Sequence, residues 1–538
     1  MMRKAPLLLA AAAMLPGAAV APAPTPQGAE PQATVIAGGT IYDGSSATPV
    51  TGDVVVIGDA IVAVGPGAGK RYPGAKVIDA RGLVIAPGFI DPHTHSDALI
   101  WGKTPQERLV APWLMQGVTT IFTGVDGYGQ GAGTVKALLD HADSGGIGPN
   151  VATFVGFGAV RVKVLRNDDR APTPAELDQM KALTAQGMCE GAFGLSTGLF
   201  YAPQSFSRTP EVIALAQEAA KRGGIYDTHQ RDESSYSIGL MNSVAEAIEI
   251  GRAAGLPVHF AHIKALGADV HGKAGEIVAA VEAARAKGQN VTADQYPYEA
   301  SGSSLVASLV PRWAQDGGAA ALVKRLETPT DRARIVAEMA PNLVRRGGAN
   351  AVLLRGAGQP WAGKRLDVVA AGWKVDPIEA AIRIILADQG RGSPIVSFNM
   401  IEPDIKLLMQ QPWVMTGSDG SAGHPRMYGT FPTKYAKYVV TEKTIDLATF
   451  INSSTGRTAD FYKLDRRGHL RAGYFADIVV FDPKAYRPRA TYLEPELTSE
   501  GVRTLIVNGT AVIDGGKLTG KAGGKAIRHR PPAGACPA

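Results

Sequence analysis

Gly88-Phe-Ile-Asp-Pro-His-Thr-His-Ser-Asp97 decides the reading of this chain. Side chains alternate faces along a strand, so an apolar strand ending in His-x-His points His93 and His95 the same way, where both can grip one metal ion. An isolated pair has a plainer reading, two polar rings bonded to backbone at a strand end. The rest of the chain weighs against it. Strand-like runs also end at Gly124, Val160, Gly198, Arg231, Lys264, Tyr298 and Asp419, with Ala-rich helical stretches between them at 209–222, 235–254 and 275–287. Eight strands alternating with helices predict an α/β fold, a (β/α)8 TIM barrel whose site gathers at the C-terminal strand ends. Ile395-Val-Ser-Phe398 is a rival for the seventh strand.

Working outward, residues 34–85 and 465–530 are β-prone runs punctuated by turns, which predicts a small β-sandwich built from both termini around the 86–464 barrel. Residues 303–392 overfill one connection, with helices expected at 318–326 and 331–339, and read as an inserted lid. The first residues, Met-Met-Arg-Lys followed by an apolar run and small residues, describe an export signal over about 1–21, too short for a stable membrane span. A Pro-rich linker over 22–33 follows, and 531–538 reads as a loose tail. The expected location is therefore periplasmic or secreted. Cys189 and Cys536 are the only cysteines; they could pair in an oxidising compartment, though nothing in the sequence requires it.

At 538 residues and 45% hydrophobic content the chain can bury a large core. Its 55 Lys and Arg barely exceed 49 Asp and Glu, and no nucleic-acid motif accompanies the net charge of +6, so no nucleic-acid role is assigned. The polar residues closing the strands carry the chemistry: His93 and His95 the first, His229 the fifth, His262 the sixth and Asp419 the eighth. Imidazoles and a carboxylate converging at a barrel mouth form the ligand set of a hydrolytic divalent-metal site, for which Zn2+ is the expected ion. Lys264, two residues beyond His262, is expected on the same face and in the same mouth. His259, of opposite parity, is expected to face the helix layer.

The chain resembles the amidohydrolase superfamily and, within it, the N-acyl-D-amino-acid deacylases (D-aminoacylases). The resemblance rests on the opening decapeptide, Gly191-Ala-Phe-Gly-Leu-Ser-Thr-Gly-Leu-Phe-Tyr201, Asp294-Gln-Tyr-Pro-Tyr298, Gly417-Ser-Asp-Gly420, His424-Pro-Arg426 and Ala476-Asp-Ile-Val-Val-Phe-Asp482. It implies a barrel of the metal-dependent hydrolase type, His229 and His262 on a tightly held zinc, His93 and His95 at a second, weaker position, and Asp419 as the catalytic carboxylate. The family commonly carries a Cys after the second strand where this chain has Asp126. A carboxylate there can bridge two ions, yet as a harder ligand it weakens zinc relative to other divalent ions, so one or two ions are expected. Glu190 and Lys163 are alternative bridges, ranked behind Asp126. By family position Arg426, Tyr296, Tyr298 and Ser303 join Lys264 as candidate substrate-binding groups, while Thr433 replaces an Arg common in the family.

The expected activity is hydrolysis of the amide of an N-acyl-D-amino acid, a small-molecule substrate, to a carboxylate and a free D-amino acid. A dipeptidase of D-residue or isoaspartyl type, or a cyclic-imide hydrolase, is the alternative on the same barrel. A non-catalytic solute-binding barrel is the alternative of a different class. Oligomeric state is left open.

Overall fold

The computed structural model describes residues 32–128 and 134–537. The export segment and most of the Pro-rich linker lie outside the described residues. Eight short parallel strands form the barrel wall: β1 Phe89–Asp91, β2 Val118–Thr123, β3 Asn150–Thr153, β4 Gly194–Gly198, β5 Ile225–His229, β6 Val258–Phe260, β7 Val291–Gln295 and β8 Val414–Thr416. β1, β2 and β3 pair in that order, and β4 to β8 pair in sequence, with Val155–Gly156 extending the third strand onto β4. Closure comes from backbone hydrogen bonds beyond the strand ends, Asp419 N to His93 O at 2.9 Å and His95 N to Gly420 O at 3.0 Å. Those bonds seam the barrel at the two segments that carry the expected chemistry.

The outward faces of β4 to β8 bury Leu195, Tyr226, Val258, Phe260, Val291, Ala293 and Val414 against the surrounding helices. Inside, Ile90, Phe122, Ala152 and Met415 pack with Tyr462. Each fully buried aliphatic or aromatic side chain contributes roughly 1.5–3 kcal/mol, which makes this wall a rigid mount for what stands on its rim. Strands from both chain ends share one nine-stranded sheet, in which Ile478–Phe481 pairs antiparallel with Val84–Pro87 and so splices the C-terminal strands onto the N-terminal ones.

Several expectations need correction. The third strand stops at Gly156, and Val160 lies in the helix Phe157–Leu165; an unbroken apolar run concealed the change of element. Ile395 to Phe398 belongs to Pro394–Phe398, which pairs antiparallel with Ala300–Ser304 and Val352–Leu354 in a lid sheet, leaving Val291–Gln295 as the seventh barrel strand. His259 faces the barrel interior, its Nε2 3.0 Å from Asp294 Oδ2 and its Nδ1 2.8 Å from Thr292 Oγ1. The parity argument failed because β6 ends at Phe260 and His262 has φ 35°, which breaks the alternation between the two histidines. The tail is not loose: Cys536 is disulfide-bonded to Cys189, and His529 N donates to Gly191 O.

Candidate active site

Three of the rim residues, Asp126, His262 and Asp419, take φ of 54°, 35° and 46°, a region that costs energy for any residue with a Cβ. In exchange their side chains turn into the barrel mouth. Asp419 is held by Asp91, whose Oδ1 accepts the neighbouring Ser418 N–H at 2.9 Å while its Oδ2 accepts Trp113 Nε1–H at 2.9 Å. His262 is held by Asp294, which accepts its backbone N–H at 3.1 Å. Asp91 and Asp294 lie within quoted motifs, yet only the packed barrel reveals what they hold.

Asp126 stands between the two histidine pairs. Its Oδ1 lies 3.4 Å from both His93 Nε2 and His262 Nε2, and its Oδ2 lies 3.5 Å from His95 Nε2 and 3.8 Å from His229 Nδ1. Two donor groups result, His93 with His95, Asp126 and Asp419, and Asp126 with His229 and His262; within each, the donor atoms lie within 4.8 Å of one another. The fit to metal is supported by orphaned atoms: His93 Nε2 and Asp126 Oδ1 are buried without a hydrogen-bond partner among the described residues, a cost a protein avoids unless something else binds them. Burial pulls the His93 imidazole down to about 4, so it is neutral and ligand-competent at neutral pH. Glu190 and Lys163 lie apart from both donor groups, lining an outer groove between helices; Glu190 accepts Lys136 N–H there. They are not the bridge.

Asp419 Oδ1 is 3.1 Å from His95 Nε2 and 3.8 Å from His93 Nε2, and its Oδ2 is ion-paired with Arg426 Nη1 at 2.7 Å. Burial alone would raise the carboxyl, but the Arg426 guanidinium, His262 and the His93–His95 pair outweigh it and hold Asp419 well below the usual carboxylate range. Arg426 is thus committed to the carboxylate and stacks over Tyr296, its guanidinium carbon 4.8 Å from the ring centroid.

A cavity of about 300 Å3 opens above this cluster, lined by His95, Asp126, Tyr201, Ser303, Asp419 and Arg426 among others. A narrower chamber runs from it towards the lid, past Lys264, Tyr296 and Ser303. Tyr296 Oη and Ser303 Oγ are buried and have no partner among the described residues, so both can bond a guest. Lys264 Nζ sits 2.7 Å from Glu233 Oε1 and 2.6 Å from His262 Nδ1. It reaches the mouth as expected, although from beyond the strand and not along its face. Tyr298 is turned away, its hydroxyl 3.0 Å from Thr433 Oγ1. Glu233 was missed by sequence reasoning; its one signal is a position four residues after His229. Burial would raise it, but Lys264 and the adjacent imidazoles hold it at about 2.

The sequence and the fold as a whole are similar to those of known proteins. The amidohydrolase family profile matches residues 76–513. A D-aminoacylase of Alcaligenes xylosoxydans xylosoxydans is 31% identical over 523 residues, covering 93% of this chain and 98% of its own, and an N-acyl-D-aspartate deacylase of the same organism is 34% identical over 510 residues, covering 89% and 92%. A solved D-aminoacylase with a binuclear metal centre superposes with a TM-score of 0.78 at 29% identity, over 92% of this chain and 99% of that one. The N-acyl-D-glutamate deacylase of Bordetella bronchiseptica, complexed with zinc and a phosphonate inhibitor, gives 0.78 at 27% identity over 93% of this chain and 100% of its own. The chain belongs to the amidohydrolase family, in the branch of the N-acyl-D-amino-acid deacylases.

Proposed function

We propose that this protein is a metal-dependent hydrolase that cleaves the amide bond of N-acyl-D-amino acids, releasing a carboxylic acid and a free D-amino acid. The observation that carries the reading is Asp419, a buried, ionised carboxylate on the rim that belongs to one of two donor groups sharing Asp126. His229, His262 and Asp126 would hold one divalent ion, expected to be zinc, and His93, His95 and Asp126 a second. When bound, such an ion lowers the pKa of water and polarises a carbonyl oxygen.

The residues of the chain account for the rest. Asp419 accepts the proton of the attacking water and returns it to the departing amine nitrogen, without which the amine is a poor leaving group. Arg426 fixes the carboxylate's orientation and keeps it ionised until that proton arrives. Tyr296 and Ser303 offer hydroxyls to the amino-acid end of the substrate, and the narrow chamber excludes bulk water around it.

The test is a panel of matched N-acetyl-D and N-acetyl-L amino acids with dipeptides and a cyclic imide, followed by release of free amine. Turnover of the D series above the others is the expected result; a preference for the L series, dipeptides or the imide moves the substrate assignment to the alternative reactions. An exported, periplasmic location is part of the proposal. The charged, apolar and small-residue N-terminus supports it, as does the disulfide joining Cys189 to Cys536, a bond that persists in oxidising compartments. N-terminal sequencing of protein from the periplasmic fraction tests it.

A further inference from the structure

Three cations stand around the reacting end, Lys264 and Arg346 in the narrow chamber and Arg426 in the cavity it opens from, and two of them are neutralised. Lys264 pairs with Glu233 at 2.7 Å, and Arg426 with Asp419 at 2.7 Å. The third is Arg346, only 2% exposed, which enters the chamber from the end of the lid helix Pro329–Arg345. Its Nε donates to Tyr236 Oη at 2.7 Å and its Nη1 to Ser301 Oγ at 3.4 Å, both neutral groups, and it forms no ion pair with a carboxylate among the described residues. Its guanidinium carbon lies 5.5 Å from the Tyr236 ring centroid and 5.8 Å from that of Phe200.

A buried charge without a counter-charge is costly, and a guanidinium cannot escape the cost by losing its proton. The C-terminus of the lid helix supplies only a partial negative charge, too little to balance a full one. Against it stands a second cation, Arg312, whose guanidinium carbon is 4.2 Å from the Phe200 centroid and whose Nη2 is buried without a partner among the described residues. Burial pulls Arg312 down to about 10, and the field of Arg346 adds to that shift. The lid therefore presses an uncompensated positive charge against the chamber that receives the substrate.

Resting on the amide-hydrolase reading above, we propose that Arg346 is the anion receptor of the active site, pairing with a carboxylate of the substrate that enters past Ser301 and Ser303. That carboxylate is either the α-carboxylate or one carried by the amino-acid side chain. Both present the same two-oxygen face to a guanidinium, and the chamber supplies the Ser303 hydroxyl, unpartnered among the described residues, to bond its flank.

The test compares the wild type with Arg346→Met and Arg346→Lys on N-acetyl-D-leucine, N-acetyl-D-leucinamide, N-acetyl-D-glutamate and N-acetyl-D-glutamine, reading KM and kcat separately. If Arg346 receives the α-carboxylate, Arg346→Met lowers kcat/KM by about 100-fold for all three free acids, chiefly through KM, and leaves the leucinamide within a few-fold. If it receives a side-chain carboxylate, only the glutamate substrate suffers that loss. Either pattern, with partial rescue by Arg346→Lys, supports the proposal. An equal loss on acids and amide alike, or no loss on any acid, overturns it. Thermal melts of the two variants separate a folding defect from a binding one, because Arg346→Lys keeps the charge even if Arg346→Met is destabilised. A wild type inactive on all four would sink the underlying reaction instead, an outcome distinct from failure of the receptor alone.

Discussion

The barrel wall and the lid each bury a basic side chain that has no ion-pair partner among the described residues, and they settle the resulting charge in opposite ways. Lys434, 1% exposed behind the last barrel strand, donates from Nζ to Thr416 Oγ1 at 2.8 Å. Burial, with repulsion from Arg457 added, pulls it down to about 7, so near neutral pH it sheds its charge. Arg346 under the lid has no such escape and must wait for an anion. The wall has resolved its electrostatics within the fold, while the lid leaves part of that task to a ligand. Chemistry thus belongs to the wall's rim and recognition to the lid.

The largest expected effect tests the rim. Asp419→Asn should lower kcat by about 1,000-fold or more, by removing the proton acceptor and donor, while bound metal measured by elemental analysis stays unchanged. Loss of metal together with activity would instead make Asp419 a ligand before anything else, and the division between rim and lid would blur.

Next in size is the pH dependence of stability set by Lys434. Unfolded, its pKa is about 10.4; folded, it is about 7. Between those values the unfolded chain binds more protons than the folded one, so stability rises with pH across the window, by up to ~1.4 kcal/mol per unit from this group. The full penalty applies below about pH 7. Lys434→Met should flatten that rise relative to wild type, seen in urea midpoints at pH 7, 8 and 9. Parallel curves for the two proteins would mean that the lysine stays charged in the wall.

Smallest is the loss of a single lid hydroxyl. Ser303→Ala should raise KM about 3- to 10-fold and leave kcat within about 2-fold, since a neutral hydrogen bond to bound substrate contributes roughly 0.5–1.5 kcal/mol. A drop in kcat with KM unchanged would place Ser303 with the reacting atoms and not with recognition.

The same division explains what was legible in the sequence. His93, His95, His229, His262 and Asp419 stand at or just beyond strand ends, where alternation and barrel architecture tell in advance which way a polar side chain turns. The structure brings all five together with Asp126. Arg346 gave no such signal: it lies at the end of a lid helix far along the chain from every strand it faces, and its meaning depends on which carboxylates Lys264 and Arg426 have already taken. Glu233 and Asp91 were likewise invisible until their partners were in place. His259 shows where the strand rule itself gives way, because one left-handed residue at His262 resets the alternation that a parity count assumes. Val160 failed for a different reason, since the strand end and the first turn of the helix carry only apolar residues and glycine from Phe154 to Val160, and the Gly156 that separates them fits a strand end equally well.

The most direct test of the central claim is metal content followed through chelation and reloading. Purified active protein should carry at least one divalent ion per chain, lose turnover when a chelator strips it, and regain turnover when zinc is restored, with His229→Ala and His262→Ala holding less metal than wild type. Active protein with no bound metal, and a rate that a chelator leaves untouched, would contradict the account.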